Sequence, residues 1–163
     1  MIELDDIDRR IVAALQAEGR LAMVDLADKV GLSPTPCQRR VKRLEDEGVI
    51  ARYAALVSPP TVGLDLQAMV QVTLDDHSEK TVEAFEAAIR ARPEVVACYA
   101  MTGDMDFLLH VLATDLASFS EFAMKALLRM PGVRGTRSSF IMQAVKSNLA
   151  WAPVPQPPAK ARR

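Results

Sequence analysis

The chain has 163 residues, 50% of them hydrophobic and 25% charged, and a formal net charge of −1. This is ordinary globular composition; it excludes a surface coated in positive charge, and no stretch approaches the about 18 apolar residues of a membrane span. The opening Met1-Ile2-Glu3-Leu4-Asp5-Asp6 is acidic where a secretory signal is basic and then apolar, so a cytoplasmic protein with no membrane partner is expected.

In chain order, Leu4, Ile7, Ile11, Ala14 and Leu15 recur at helical spacing. Asp5 and Asp8 stand where a helix start wants acceptors and negative charge, and Gly19 stops the helix. A short helix from about Met23 to Val30 turns Leu26, Ala27 and Val30 inward and ends at Gly31. Ser33 reads as the N-cap of a third helix, with Pro34 at its first position, a run to about Glu47 and Gly48 as the stop. Val49 to Val57 is apolar and β-prone and reads as a short wing strand or hairpin arm. Residues 1–57 are therefore expected to form a winged helix-turn-helix domain, and Ser58-Pro59-Pro60 opens a hinge over 58–64.

Beyond the hinge, strands alternate with helices. Ala68, Val70, Val72 and Leu74 alternate with Met69, Gln71 and Thr73, a period-two strand. Ser78 caps a helix carrying Val82, Phe85 and Ile89, which Pro93 closes. Val95 to Met101 is a strand, Gly103-Asp104 a tight turn, and Asp106 to Leu112 another strand. Asp115 opens a helix with Leu116, Phe119, Phe122, Ala126 and Leu127, ended by Pro131-Gly132, and Val133 to Val145 contains the last strand. The order β-α-β-β-α-β predicts a ferredoxin-like domain over 65–146 and an α+β chain overall. Two helices on one sheet face leave the other face uncovered, so dimerisation is expected. Residues 147–163 read as a proline-rich tail, disordered toward its end, with Trp151 anchoring it.

Positive charge is concentrated in the third helix, where Arg39, Arg40, Lys42 and Arg43 precede the acidic block Glu45-Asp46-Glu47. At about 100° per residue, Cys37, Val41 and Leu44 form a core stripe, while Thr35, Gln38, Arg39 and Lys42 project from the opposite side and Arg40 and Arg43 lie on the flanks. A charge run alone is more often a solvated face. Here it follows a short helix and a glycine turn, the position of a recognition helix in the major groove of double-stranded DNA. Ser33, Thr35, Gln38 and Arg39 are expected near bases and the helix start, with Lys42, Arg40 and Arg43 mainly on the backbone. The acidic block is expected to point away from DNA toward other partners.

The stretches LDDIDRRIVAALQAEGR, VDLADKVGLSPTPCQRRVKRLEDEGVIARYAAL, PEVVACYAMTGDMDFLL and LLRMPGVRGTRSSFIMQAVK resemble the leucine-responsive regulator/asparagine-regulator (Lrp/AsnC, feast/famine) family over nearly the whole chain except its tail. The resemblance implies homodimers formed through the C-terminal sheets, rings of dimers (often octamers), DNA bending or wrapping, and response to a small amino acid. It also implies control of amino-acid metabolism or transport genes and a nucleoid-associated protein.

The turn Thr102-Gly103-Asp104-Met105-Asp106 suits that sensing role: Asp104 or Asp106 can take an α-ammonium group and turn amides an α-carboxylate. Glycine and aspartate also serve hairpin turns for backbone reasons alone. The resemblance implies an effector held between dimers by Tyr99, Met101, Thr102, Gly103, Asp104 and Asp106, with Ser138-Ser139-Phe140-Ile141 approaching from a neighbouring subunit.

No cofactor, metal site or catalytic centre is expected. Asp75-Asp76-His77 reads as a polar loop end, His110 as a packed or interface residue, Cys37 and Cys98 as reduced, mostly buried thiols, and the methionines as core and interface filler. Two other functions stay open on the residues: an enzyme using the ferredoxin-like domain, and an effector-independent architectural DNA-binding protein.

Overall fold

The computed structural model describes residues 3–146. The expected anchoring by Trp151 and disorder toward the chain end lie outside them. The chain divides into two compact units, one reaching to Leu56 and the other spanning Val57–Val145.

The first unit has three helices: α1 (Asp6–Ala17), α2 (Met23–Val30) and α3 (Pro34–Asp46). Asp5 caps α1 in a reciprocal box with Asp8: the Asp8 amide donates to Asp5 Oδ1 at 2.8 Å and the Asp5 amide to Asp8 Oδ2 at 3.2 Å. Gly31 ends α2 at φ +73°, a conformation that favours glycine. After α3 the Gly48 amide returns to the Glu45 carbonyl and the Ile50 amide to that of Leu44. The helices meet around Ile11, Leu26, Ala27, Val30, Cys37, Val41 and Leu44.

No wing strand forms among the described residues. Residues 51–58 carry no regular secondary structure, and Tyr53, Leu56 and Val57 are exposed. β-prone side chains alone do not make a strand; the backbone needs a ladder partner, and none of the sheet pairings involves this segment.

The second unit opens with a 3₁₀ turn, Pro59–Val62, closed by Gly63. Four strands follow, β1 (Leu66–Leu74), β2 (Val95–Ala100), β3 (Phe107–Ala113) and β4 (Val133–Phe140), in the antiparallel order β2-β3-β1-β4. This is the ferredoxin-like order. The alternation read in the sequence is realised: Ala68, Val70, Val72 and Leu74 are buried, and Phe107, Leu109, Val111 and Ala113 face the same way from β3. Helix α4 (Glu79–Arg90), capped by Ser78, lays Phe85 and Ile89 on them. The opposite sheet face carries Met69, Gln71, Leu108, His110 and Leu112 at intermediate exposure.

The last helix is not uniform. Helix α5 (Leu116–Glu121) passes into a π-turn, Phe122–Ala126, and a 3₁₀ turn, Leu127–Arg129. Phe122 and Leu127 are both buried. Positions five apart lie about 140° apart on an α-helix, and widening to a π-turn brings them onto one face. Leu116, expected inward, is exposed, as are Cys98, Met124 and Met142. Cys98 sits on β2, an edge strand with one neighbour.

Candidate DNA-binding and ligand-binding sites

Helix α3 buries Cys37, Val41 and Leu44 and exposes Ser33, Thr35, Gln38, Arg39, Lys42 and Arg43. Ser33 stands at the N-cap, but its hydroxyl makes no capping bond. It therefore faces outward beside the first-turn amides, which lack helical partners. Among the described residues Arg39 and Lys42 enter no ion pair.

Arg40 and Arg43, expected mainly on the DNA backbone, make ion pairs within the chain. Arg40 Nη1 lies 2.6 Å from Asp5 Oδ2 and 2.9 Å from Asp8 Oδ1, and Arg43 Nη2 contacts Asp8 Oδ2. Asp8 is the one buried charged side chain among the described residues, 1% exposed. The Asp8 amide, helped by Arg40, holds the Asp5 carboxyl below its ordinary range, and the two carboxylates raise Arg40. The sequence marks Asp5 and Asp8 as a helix cap; nothing in it pairs Asp8 with arginines 32 and 35 positions later. In the acidic block, the Tyr53 hydroxyl donates to Glu45 Oε1 at 2.8 Å. Burial and that carboxylate push the Tyr53 phenol up to about 12.

In the second unit the turn 101–106 closes the β2-β3 hairpin. The Met101 amide donates to the Asp106 carbonyl at 2.9 Å, and Gly103 takes φ +107°. Thr102, Gly103 and Asp104 are exposed, with Tyr99 and Met101 beside them. Asp104 has no hydrogen bond or ion pair among the described residues. Asp106, considered with it as an ammonium acceptor, is already committed. Its Oδ2 accepts the Leu74 amide at 2.7 Å and its Oδ1 lies 2.7 Å from His77 Nε2. The Leu74 bond, with His77, keeps the Asp106 carboxyl below its ordinary range. His77, read from sequence as a loop-end residue, thus braces the turn from the far end of β1.

Ser138, Ser139 and Phe140 do not join the turn within one chain. They lie on β4, at the opposite sheet edge from β2, with two strands between. At about 4.8 Å per strand that is about 14 Å. Phe140 also packs edge-on against Phe119, with ring centroids 5.1 Å apart.

Residues 67–151 match the Lrp/AsnC ligand-binding domain and residues 4–51 a winged helix-turn-helix DNA-binding domain. The chain belongs to the Lrp/AsnC family. It is 43% identical to the leucine-responsive regulatory protein of Haemophilus influenzae, over 88% of this chain and 86% of that protein. It is 39% identical to that of Escherichia coli K12, over 90% and 89%. Among solved structures, a transcriptional regulator of Neisseria meningitidis in complex with L-methionine superposes with a TM-score of 0.88 at 42% identity, covering 91% of this chain and 96% of that one. A feast or famine regulatory protein of M. tuberculosis complexed with L-methionine gives 0.81 at 33% identity, covering 93% and 100%.

This Lrp/AsnC member is a DNA-binding transcription regulator with a ligand-binding domain, not an enzyme. The effector-independent architectural reading is disfavoured by the match to a ligand-binding domain. Among the described residues no helix is long and apolar enough to cross a membrane.

Proposed function

We propose that the protein reads specific DNA sites through α3 and adjusts that binding to a small amino acid held at the 101–106 turn. The observation that carries the DNA half is the pair of unneutralised cations, Arg39 and Lys42, beside exposed Thr35, Gln38 and Ser33 on one helix face. Gln38 and Arg39 suit base edges, and Lys42 and Ser33 suit phosphates.

On the ligand side, the free Asp104 carboxylate takes the α-ammonium group, the Thr102-Gly103 backbone the carboxylate, and Tyr99 and Met101 the side chain. The committed Asp106 acts as a brace, not as a direct ligand. Because Ser138, Ser139 and Phe140 lie at the far sheet edge, they reach a turn only from another copy. An effector between copies then stabilises one assembly state over another in proportion to its difference in affinity for the two.

The uncovered sheet face bearing Met69, Leu108 and Leu112 suits a homodimer, and dimers joining edge to edge suit a ring such as an octamer. The bound form of the two structural relatives makes L-methionine the first effector to try, with leucine next from the relatives' names. A cytoplasmic, nucleoid-associated regulator of amino-acid metabolism or transport genes fits this reading.

The test is thermal unfolding and light scattering against the twenty common amino acids. One or a few apolar amino acids are expected to raise the melting temperature and shift the assembly size, and Asp104→Ala to abolish both responses. A panel with no response would overturn the sensing half.

A further inference from the structure

Resting on the reading of α3 as the DNA-contacting helix, we propose that Asp5 and Asp8 are an internal stand-in for the DNA backbone. They withhold Arg40 and Arg43 from phosphates and so raise the preference for specific over unselected DNA. A carboxylate offers a guanidinium what a phosphodiester offers, two oxygens sharing negative charge. Asp8 gives one oxygen to each arginine, and Asp5 gives a second to Arg40. Of the four cations in the block, two are thereby neutralised and two, Arg39 and Lys42, enter no ion pair among the described residues.

The neutralised pair is not sealed away. The Arg43 side chain is 44% exposed and that of Arg40 28%, so both are within reach of a phosphate once released. Binding to unselected DNA is almost wholly phosphate contact, and each phosphate neutralised adds about 0.9 to the salt slope. Withholding two cations therefore weakens unselected binding most, while base contacts from Gln38 and Arg39 are untouched. Capping does not need this arrangement. An amide oxygen at position 8 could accept the Asp5 N–H, but one neutral amide cannot hold two guanidinium groups.

The experiment uses the full-length protein and two duplexes, one of random sequence and one selected from a random pool by the wild type. Affinity is measured across a sodium chloride series for Asp8→Asn, Asp5→Asn, and Asp8→Asn combined with Arg43→Gln. Asp8→Asn is expected to bind the random duplex more tightly, to steepen the salt slope by about 0.9 because Asp5 still holds Arg40 and Arg43 alone is released, and to narrow the preference for the selected duplex. Asp5→Asn, at an exposed position, should move the same way by less, and it carries the test if Asp8→Asn does not fold. Arg43→Gln should reverse the steepening, a signature that a merely structural role would not produce. Unchanged or shallower slopes in the folded single variants would overturn the proposal. If Arg39→Ala likewise left the slope unchanged, the reading of α3 itself would have failed; if only Arg39→Ala lowered it, the fault would lie with the stand-in alone.

Discussion

Asp106 Oδ1 lies 2.7 Å from His77 Nε2 while its Oδ2 accepts the Leu74 amide, so the carboxylate ties the 101–106 turn to the end of β1. Asp104, two residues earlier, is exposed and makes no such contact among the described residues. The two acids should therefore separate cleanly. Asp106→Ala is expected to destabilise the second unit by about 1–2 kcal/mol through lost hydrogen bonds. Asp104→Ala should stay within about 0.5 kcal/mol of wild type yet remove the response to methionine. Thermal unfolding and methionine titration of both variants check this; equal destabilisation would contradict it.

The pH dependence has two parts. Asp5, Asp106, Asp76 and Asp115 all titrate below their ordinary range in the folded chain. The unfolded chain protonates these carboxyls first as pH falls, so their stabilisation is complete above the ordinary carboxyl range and is lost below about pH 4. Burial lowers the pKa of His110. The unfolded histidine therefore takes up its proton first, and stability should begin to decline below about pH 6.5. Urea midpoints across pH should show both declines, and His110→Gln should remove the upper one only.

Gly132 stands at φ +73°, and a Cβ there would lie 2.2 Å from Thr81 Cγ2. Its carbonyl also accepts the Asp75 amide at 2.8 Å. Gly132→Ala should cost about 2 kcal/mol or more from backbone strain and crowding together. Thr81→Ser removes the crowding methyl and keeps the hydroxyl that donates to Asp76 Oδ2 at 3.0 Å. The double variant should recover part of the loss in chemical denaturation. No recovery would assign the whole cost to the backbone.

Removing Asp8 leaves Arg40 and Arg43 without their shared partner and breaks the cap of α1. Asp8→Ala is expected to destabilise the first unit by about 2–4 kcal/mol, near the lower part of the range for buried pairs because both arginines keep some water. Calorimetry should locate the loss in that unit's transition, with the second unit unaffected.

Much of this was legible in the sequence because it is local. The period-two run Ala68–Leu74 announces its buried face, Ser78 and Asp115 announce their helices, and Cys37, Val41 and Leu44 announce the side of α3 that faces the core. What escaped depends on distant partners. No local pattern assigns Arg40 and Arg43 to Asp8, or chooses Asp106 over Asp104 as the acid that braces the turn. The π-turn at Phe122–Ala126 arises from a packing demand on Phe122 and Leu127, which an α-helical reading spreads to different faces. The strand expected at 49–57 is not formed for a related reason: the apolar run has strand-forming side chains but no ladder partner among the described residues.

The central claim is that DNA binding resides in the unneutralised cations of α3. It is tested most directly by fluorescence anisotropy of a duplex selected by the wild-type protein, titrated with wild type and with Arg39→Glu/Lys42→Glu. Both positions are exposed and enter no ion pair among the described residues, so the double variant should unfold at the wild-type temperature. It should bind about 100-fold more weakly or worse. Unchanged affinity in a correctly folded double variant would contradict the account.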